Sequence, residues 1–147
     1  MALYQDATQL FYPVYSAFNV SNSSGASGWK TIDWATVEID TTEIAESSGT
    51  VTTQEAGYYY CHFNHFHNNG AHTQYRTRML SSTVGDFAYQ WTNIGDGSSI
   101  SGIVYLAEGS WVKCQAYHDN TAHPEQNTDR RNKFGIWRFN GGGQNYF

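Results

Sequence analysis

Six histidines are the side chains of this sequence that most readily suggest chemistry. Imidazole nitrogens bind transition metals, and the pair in His65-Phe66-His67 could supply part of such a site. No cysteine or acidic residue stands at a spacing that would complete it. We therefore predict polar histidines near a strand end and a loop, with metal binding as the alternative, and no cofactor. The six positions are His62, His65, His67, His72, His118 and His123.

Motifs for nucleophilic or phosphate chemistry are missing. The sequence has no Gly-x-Ser-x-Gly elbow and no glycine-rich phosphate loop. Serine, histidine and acidic residues are present, but scattered residues of the right type do not form a catalytic constellation. We predict that the protein is not an enzyme and has no catalytic residues.

Composition favours one all-β domain over residues 1–147. Aromatic residues make up 16% of the chain, charged residues only 14%, and there are fourteen glycines. Residues 1–15 are predicted to form an N-terminal arm and first strand, and residues 140–147 a glycine-rich tail. Many short apolar runs separated by turns indicate a β-sandwich or barrel.

Charge and hydropathy exclude two classes of partner. The formal net charge is −5 and the longest basic run is Arg130-Arg131, so the basic stripe of a nucleic-acid-binding surface is missing. No apolar run is long enough to span a membrane, and the N-terminus lacks a secretory pattern. We expect a protein made in a cytoplasm, with a secreted mature chain as the alternative.

Alternation along the strands assigns side chains to faces. In the run that begins at Gly57, residues Tyr59, Cys61 and Phe63 are predicted to face the core. The run from Trp29 to Ile39 also alternates and is predicted as one strand. A turn is predicted at Ser47-Ser48-Gly49.

The second apolar run predicts a core face and a mixed face. Its core face comprises Val112, Cys114 and Ala116, and Trp111 is expected to lie outward and partly covered. Cys61 and Cys114 are predicted to be buried thiols, with a disulfide between two sheets as the alternative.

Three blocks resemble the globular domain that complement C1q shares with the tumour necrosis factor ligands. They are Gly57-Tyr-Tyr-Tyr-Cys61, Gly102-Ile-Val-Tyr-Leu-Ala-Glu-Gly-Ser-Trp-Val112 and Phe134-Gly-Ile136, in the family's order. The resemblance implies a two-sheet antiparallel jelly-roll sandwich that assembles as a homotrimer. It also implies which side chains face the trimer axis, and Ser99 and Lys133 would make that axis wet enough for water or an ion. The implied interface residues are Tyr58, Tyr60, His62, Ser99 and Lys133. The alternative for Tyr58 and Tyr60 is a face that the chain's own N-terminal segment covers.

A long polar loop follows the second block and is expected to recognise partners rather than to bind calcium. Its candidate recognition residues are His118, Asp119, Asn120, His123, Glu125 and Asp129.

Two biological settings follow by analogy with the resembled family. The first is a virion surface protein of phage type, a capsid decoration, head fibre or knob that is made in the host cytoplasm. Its partners would be itself, other virion proteins and a host-surface ligand. The alternative is an extracellular, lectin-like protein in which Trp29, Trp91 and Trp137 stack on sugars. Core packing is the simpler explanation of these tryptophans.

Overall fold

The computed structural model describes residues 11–20, 28–66, 74–92, 97–118 and 131–139. Within these ranges the chain forms eleven strands and no helix, which confirms the all-β prediction. The strands are β1 (Phe11–Val20), β2 (Gly28–Thr31), β3 (Trp34–Asp40), β4 (Ile44–Ser47), β5 (Thr50–Thr53), β6 (Gly57–Phe66), β7 (Tyr75–Ser81), β8 (Gly85–Thr92), β9 (Gly97–Leu106), β10 (Trp111–His118) and β11 (Lys133–Phe139).

The strands form two antiparallel sheets. The first sheet has the order β3-β1-β11-β6-β9, and the second has the order β4-β5-β10-β7-β8, with β2 paired to the end of β10. Neighbouring strands are mostly distant in sequence, so the chain crosses repeatedly between the sheets. Together they form the predicted sandwich, whose core lies between the two inner faces. The predicted tail at 140–147 lies outside the described residues. The bounds of the single domain and of the arm and first strand at 1–15 stay predictions.

Strand β6 alternates along its length as predicted. Tyr59, Cys61 and Phe63 have no exposed surface, while Tyr58, the residue before Tyr59, is 58% exposed. Burial is therefore set by the two-residue period of the strand rather than by hydrophobicity, since tyrosines lie on both faces.

Strand β10 completes the core from the opposite sheet. Val112, Cys114 and Ala116 are fully buried, and Trp111 lies half-buried on the outer face, as predicted. Cys61 and Cys114 are free thiols. Both thiols are fully buried, which confirms the prediction of two buried thiols, and the alternative disulfide is not formed. Burial raises the pKa of both thiols.

The predicted strand from Trp29 to Ile39 is wrong in one respect. The chain leaves the second sheet after β2 and enters the first sheet at Trp34. Ile32 lies at this crossing, fully buried, and its backbone N–H donates to the Cys114 carbonyl at 2.9 Å. Ile32 and Trp34 are both buried two residues apart across the break, so this spacing conceals the change of sheet.

A two-residue turn joins β4 to β5 where the sequence predicts one. Ser48 and Gly49 have φ values of 49° and 74°, the left-handed pair of a type I′ hairpin. A side chain on Gly49 would place its Cβ 1.9 Å from the Ile32 carbonyl oxygen. This turn therefore requires glycine for its conformation and for space.

A charged cluster fixes the end of β11 against the loops beside it. The Arg138 guanidinium donates to the Glu43 carboxylate at 3.0 Å and also to Glu55. The Tyr12 hydroxyl donates to Glu43 at 2.9 Å. These bonds hold β1 and β11 in place at the end of the first sheet that carries Phe11 and Trp137.

Candidate subunit interface

The outer face of the first sheet brings together all five residues that the sequence assigns to an interface. Directly opposed residues of antiparallel strands share a face. Tyr58 is opposed by Tyr105, and Tyr60 by Ile103 and Trp137. Further along β6, the same face carries His62, flanked by Ser101 and Gly135, and then Asn64, flanked by Ser99 and Lys133.

One half of this face, which we call the apolar half, leaves large side chains in solvent. Tyr58 is 58%, Ile103 60% and Tyr105 50% exposed, and Phe11 from β1 is 44% exposed. The rings of Tyr58 and Tyr105 meet edge to face with centroids 5.3 Å apart. Monomeric proteins rarely expose a contiguous apolar patch of this kind unless it binds something.

The aromatic side chains of the apolar half hold one another in place. The Phe11 ring lies 5.9 Å from the Tyr60 ring and 6.1 Å from the Trp137 ring, nearly parallel to the latter. Tyr60 and Trp137 also contact each other, with centroids 5.6 Å apart. Ring pairs at these separations add attraction beyond their buried area, so the surface is ordered before any partner arrives.

Gly135 permits the position of the Trp137 indole. A Cβ atom on Gly135 would lie 2.5 Å from the indole ring, closer than real side chains approach. The indole therefore occupies the space that a side chain at this position would need. This glycine is buried although it lies on the outer face.

The other half of the face is polar. Asn64 is half-buried and Ser99 is exposed, while the Lys133 ammonium lies 3.8 Å from the Glu38 carboxylate. Both partners of this ion pair are more than one-third exposed, so it contributes little to stability. Within the described ranges, no three His, Cys, Asp or Glu side chains are grouped closely enough to hold a metal ion.

Two solved structures with a similar fold are crystal structures of murine APRIL, a tumour necrosis factor family protein. The structure at pH 8.0 has a TM-score of 0.68 at 10% sequence identity, over 86% of this chain and 98% of that chain. The structure at pH 8.5 has a TM-score of 0.65 at 11% identity, over the same shares. The chain has a TNF-like jelly-roll fold. The family resemblance is thus confirmed as a likeness of fold.

No protein-family model and no curated protein sequence matches the chain. The TNF-like fold is recognised from similar structures at very low sequence identity. Such a likeness shows the architecture of the chain and not its function. The structure places the five predicted interface residues on one face, but their role in assembly stays a prediction. In the part of the chain that is described, no helix is long and apolar enough to cross a membrane.

His65 lies at the end of β6, as the prediction of strand-end histidines has it, but it is buried rather than solvent-facing. This side chain is 1% exposed, and its ring stacks against Tyr75 and hydrogen-bonds the tyrosine hydroxyl. The strand continues to Phe66, and its two-residue period therefore turns His65 into the core. Burial raises the pKa of Tyr75. His67 and His72 lie outside the described residues.

The predicted recognition loop is outside the described residues except at its start. His118 ends β10, where its backbone pairs with Gly28 and Tyr75. The remaining candidates, Asp119, Asn120, His123, Glu125 and Asp129, lie beyond the described part of the chain.

Core packing does not explain the tryptophans, contrary to the simpler expectation. Trp91 is 55% exposed on the outer face of the second sheet, and Trp29 is half-buried on the same face. Trp137 belongs to the candidate interface. The signal that could have revealed this is alternation, because Tyr89 and Trp91 share one phase of β8 and Arg76 and Arg78 share one phase of β7.

Proposed function

We propose that this chain is a non-enzymatic binding module that works as a homotrimer, joined through the outer face of its first sheet. The observation that carries the proposal is the apolar half of that face. There Tyr58, Ile103 and Tyr105 are each half or more exposed. Burial of apolar surface stabilises an assembly by about 25 cal/mol per Å².

The number of subunits comes from the family resemblance, and the geometry of the face supports a closed ring. The apolar half lies to one side of the sheet, and the polar half with Asn64, Ser99 and Lys133 lies to the other. A closed cyclic assembly gives every copy the same neighbours and leaves no apolar half uncovered. In such a ring the polar half would line a hydrated axis.

Light scattering on the purified protein tests the assembly. We expect a mass three times the 16.6 kDa of one chain at micromolar concentration. Ile103→Asp should give folded monomers, because a carboxylate in the interface would lose its water without gaining a partner. Tyr60→Asp should act in the same direction.

Val84→Asp is the matched control. Val84 is 61% exposed, against 60% for Ile103, but it lies in the turn between β7 and β8 of the second sheet. It should keep the wild-type mass, and circular dichroism should show both variants folded. A wild-type mass of one chain, or equal effects of the two variants, would refute the proposal.

The setting that we propose is the surface of a phage-type virus particle, where the trimer decorates the capsid or contacts the host. The support is compositional, since charged residues are only 14% of the chain and glycines number fourteen. Mass spectrometry of purified particles should then find the chain in the capsid fraction. Its absence from particles, with recovery from the medium of uninfected cells, would favour the extracellular alternative.

A further inference from the structure

The outer face of the second sheet carries two rows of aromatic, arginine and amide side chains. Each row crosses four strands in the order β2, β10, β7 and β8. We call the two rows together the aromatic–arginine platform. The first row is Trp29, Tyr117, Arg76 and Trp91, and the second row is Thr31, Gln115, Arg78 and Tyr89.

The arginines of the platform stack on its rings. The Arg76 guanidinium carbon lies 4.7 Å from the Trp91 ring centre and 5.0 Å from the Tyr117 ring centre. The Arg78 carbon lies 4.0 Å from the Trp29 ring centre. Attraction between a guanidinium and an aromatic face holds both groups in position, so the platform is ordered without a ligand.

The two arginines differ in how far their charge is matched. Arg78 donates to Gln115 at 2.8 Å and pairs with the Asp86 carboxylate at 3.1 Å. Arg76 donates to the Gln74 amide oxygen at 2.7 Å, and no carboxylate of the described ranges pairs with it. Its Nε atom is buried and has no hydrogen-bond partner among those residues. Arg76 is therefore the cation of the platform that an anionic ligand can pair with.

Two rings beside the arginines are about half exposed. Trp91 is 55% and Tyr89 48% exposed, and they follow each other on the same side of β8. Exposed rings of this kind, fixed next to a few polar groups, suit a flat ligand that is apolar on one side and polar at its edge.

We propose that the aromatic–arginine platform binds a glycan that carries carboxylate groups. Sugar rings would stack on Trp91 and Tyr89, and the carboxylate would pair with the Arg76 guanidinium in the geometry that suits a planar fork. Charge complementarity supports an acidic ligand. The two rows carry two positive charges beside the single negative charge of Asp86, while the whole chain is at −5.

Size favours a glycan over a protein partner. A stable protein interface takes about 20–30 residues and about 800 Å² from each side. The platform has two rows of four side chains, and at about 4.8 Å between strands it spans about 14 Å. A single-stranded nucleic acid could also stack on such rings, but it needs a basic groove that two arginines do not form.

Calorimetric titration of the purified protein tests the proposal. The probes are sialyllactose, a galacturonate tetramer and a hyaluronan tetrasaccharide, each also as its methyl ester, with lactose and a thymidine oligonucleotide for comparison. We expect at least one acid probe to bind with a dissociation constant below about 1 mM and its ester to bind at least tenfold more weakly. Arg76→Met and Trp91→Ala should each weaken that binding about tenfold or more.

Lys113→Met is the matched control for Arg76→Met. Lys113 lies on the same outer face and over an aromatic ring, 4.5 Å from the centre of Trp111, but outside the two rows. Its loss should change the affinity less than twofold. No binding of any acid probe, binding of the ester as tight as the acid, or preference for the oligonucleotide would overturn the proposal.

This inference goes beyond the proposed trimer and does not depend on it. Binding per chain should be the same for the wild type and for Ile103→Asp. A failed trimer with intact glycan binding would refute the assembly alone, and a trimer that binds no acid probe would refute the platform alone.

Discussion

The outer faces of the two sheets both carry exposed aromatic rings, but the rings have different neighbours. On the first sheet Tyr58 meets Tyr105, and Trp137 meets Phe11. On the second sheet Trp91 meets the guanidinium of Arg76. The rings of the first face contact only other rings among these pairs, whereas those of the second face contact both one another and arginines, as Trp29 does with Tyr117 at 5.6 Å.

This difference predicts different roles for the two faces. A ring that stacks on a guanidinium already has a favourable contact, and the arginine keeps the surface hydrated. A cluster of rings without charged groups gains most when another apolar surface covers it. The first face thus suits permanent burial between subunits, and the second suits a ligand that comes and goes.

The largest effect that would sharpen this comparison is alkaline unfolding, because both faces depend on one core. Burial raises the pKa of Tyr59 from 10.0 to about 12, and it also raises the pKa of Tyr15 and Tyr75. Above pH 10 the unfolded chain loses protons that the folded chain keeps, so the free energy of unfolding falls as pH rises towards 12. For Tyr59 the loss is on the order of 2 kcal/mol.

Guanidinium unfolding at a series of pH values measures this loss, with the assembled mass and glycan binding followed in parallel. Assembly and glycan binding should be lost at the same pH. Tyr59→Phe should weaken the pH dependence above pH 10, although it loses the hydroxyl bond to the Glu55 carbonyl at 2.7 Å. Loss of assembly or of glycan binding at a pH where unfolding is unchanged would show that alkali acts on that face directly and not through the core.

A smaller effect should follow from Gly135→Ala, which perturbs the first face alone. The new Cβ would lie 2.5 Å from the Trp137 indole, so the ring must move away from the sheet and from Phe11. We expect the dissociation constant of the assembly to rise about tenfold, a cost of about 1.4 kcal/mol. Sedimentation equilibrium measures the constant, and glycan binding by the second face should not change.

A double-mutant cycle makes this prediction specific. In a Trp137→Leu background the added methyl group has no indole to displace, so Gly135→Ala should have little further effect. If the two changes add in full, the glycine acts through the backbone and not through the indole.

The sequence predicts burial well along β6 and β10, but not along β3, whose residues after Trp34 are mostly exposed. Tyr59, Cys61 and Phe63 were assigned to the core because β6 runs unbroken from Gly57. The same pattern is misleading between Trp29 and Trp34, where the chain changes sheets while the buried Ile32 and Trp34 keep a two-residue spacing. A period of two residues reports a face but not the sheet to which the strand belongs.

The sequence predicts the roles of the tryptophans poorly because residue type favours the core and only pairing shows otherwise. Trp91 is directly opposed by Arg76, which lies on the preceding strand of the same hairpin. An arginine makes an exposed tryptophan tolerable, so the exposure of one residue depends on the identity of the other. Alternation shows which residues of one strand share a face, but only the cross-strand register shows that Trp91 meets an arginine.

The smallest effect that we predict is a difference in salt dependence between the two faces. A pair between Arg76 and a ligand carboxylate on this solvent-open surface is partly screened by salt. Raising the salt from about 0.05 M to about 0.5 M should weaken glycan binding about two- to fivefold. The assembled mass should not fall, because apolar contacts such as those of Ile103 are not screened.

Salt-induced dissociation of the trimer would mean that the polar half, with Lys133, holds the subunits together. Glycan binding that ignores salt would mean that stacking on Trp91 is sufficient and that the charge of Arg76 has another role.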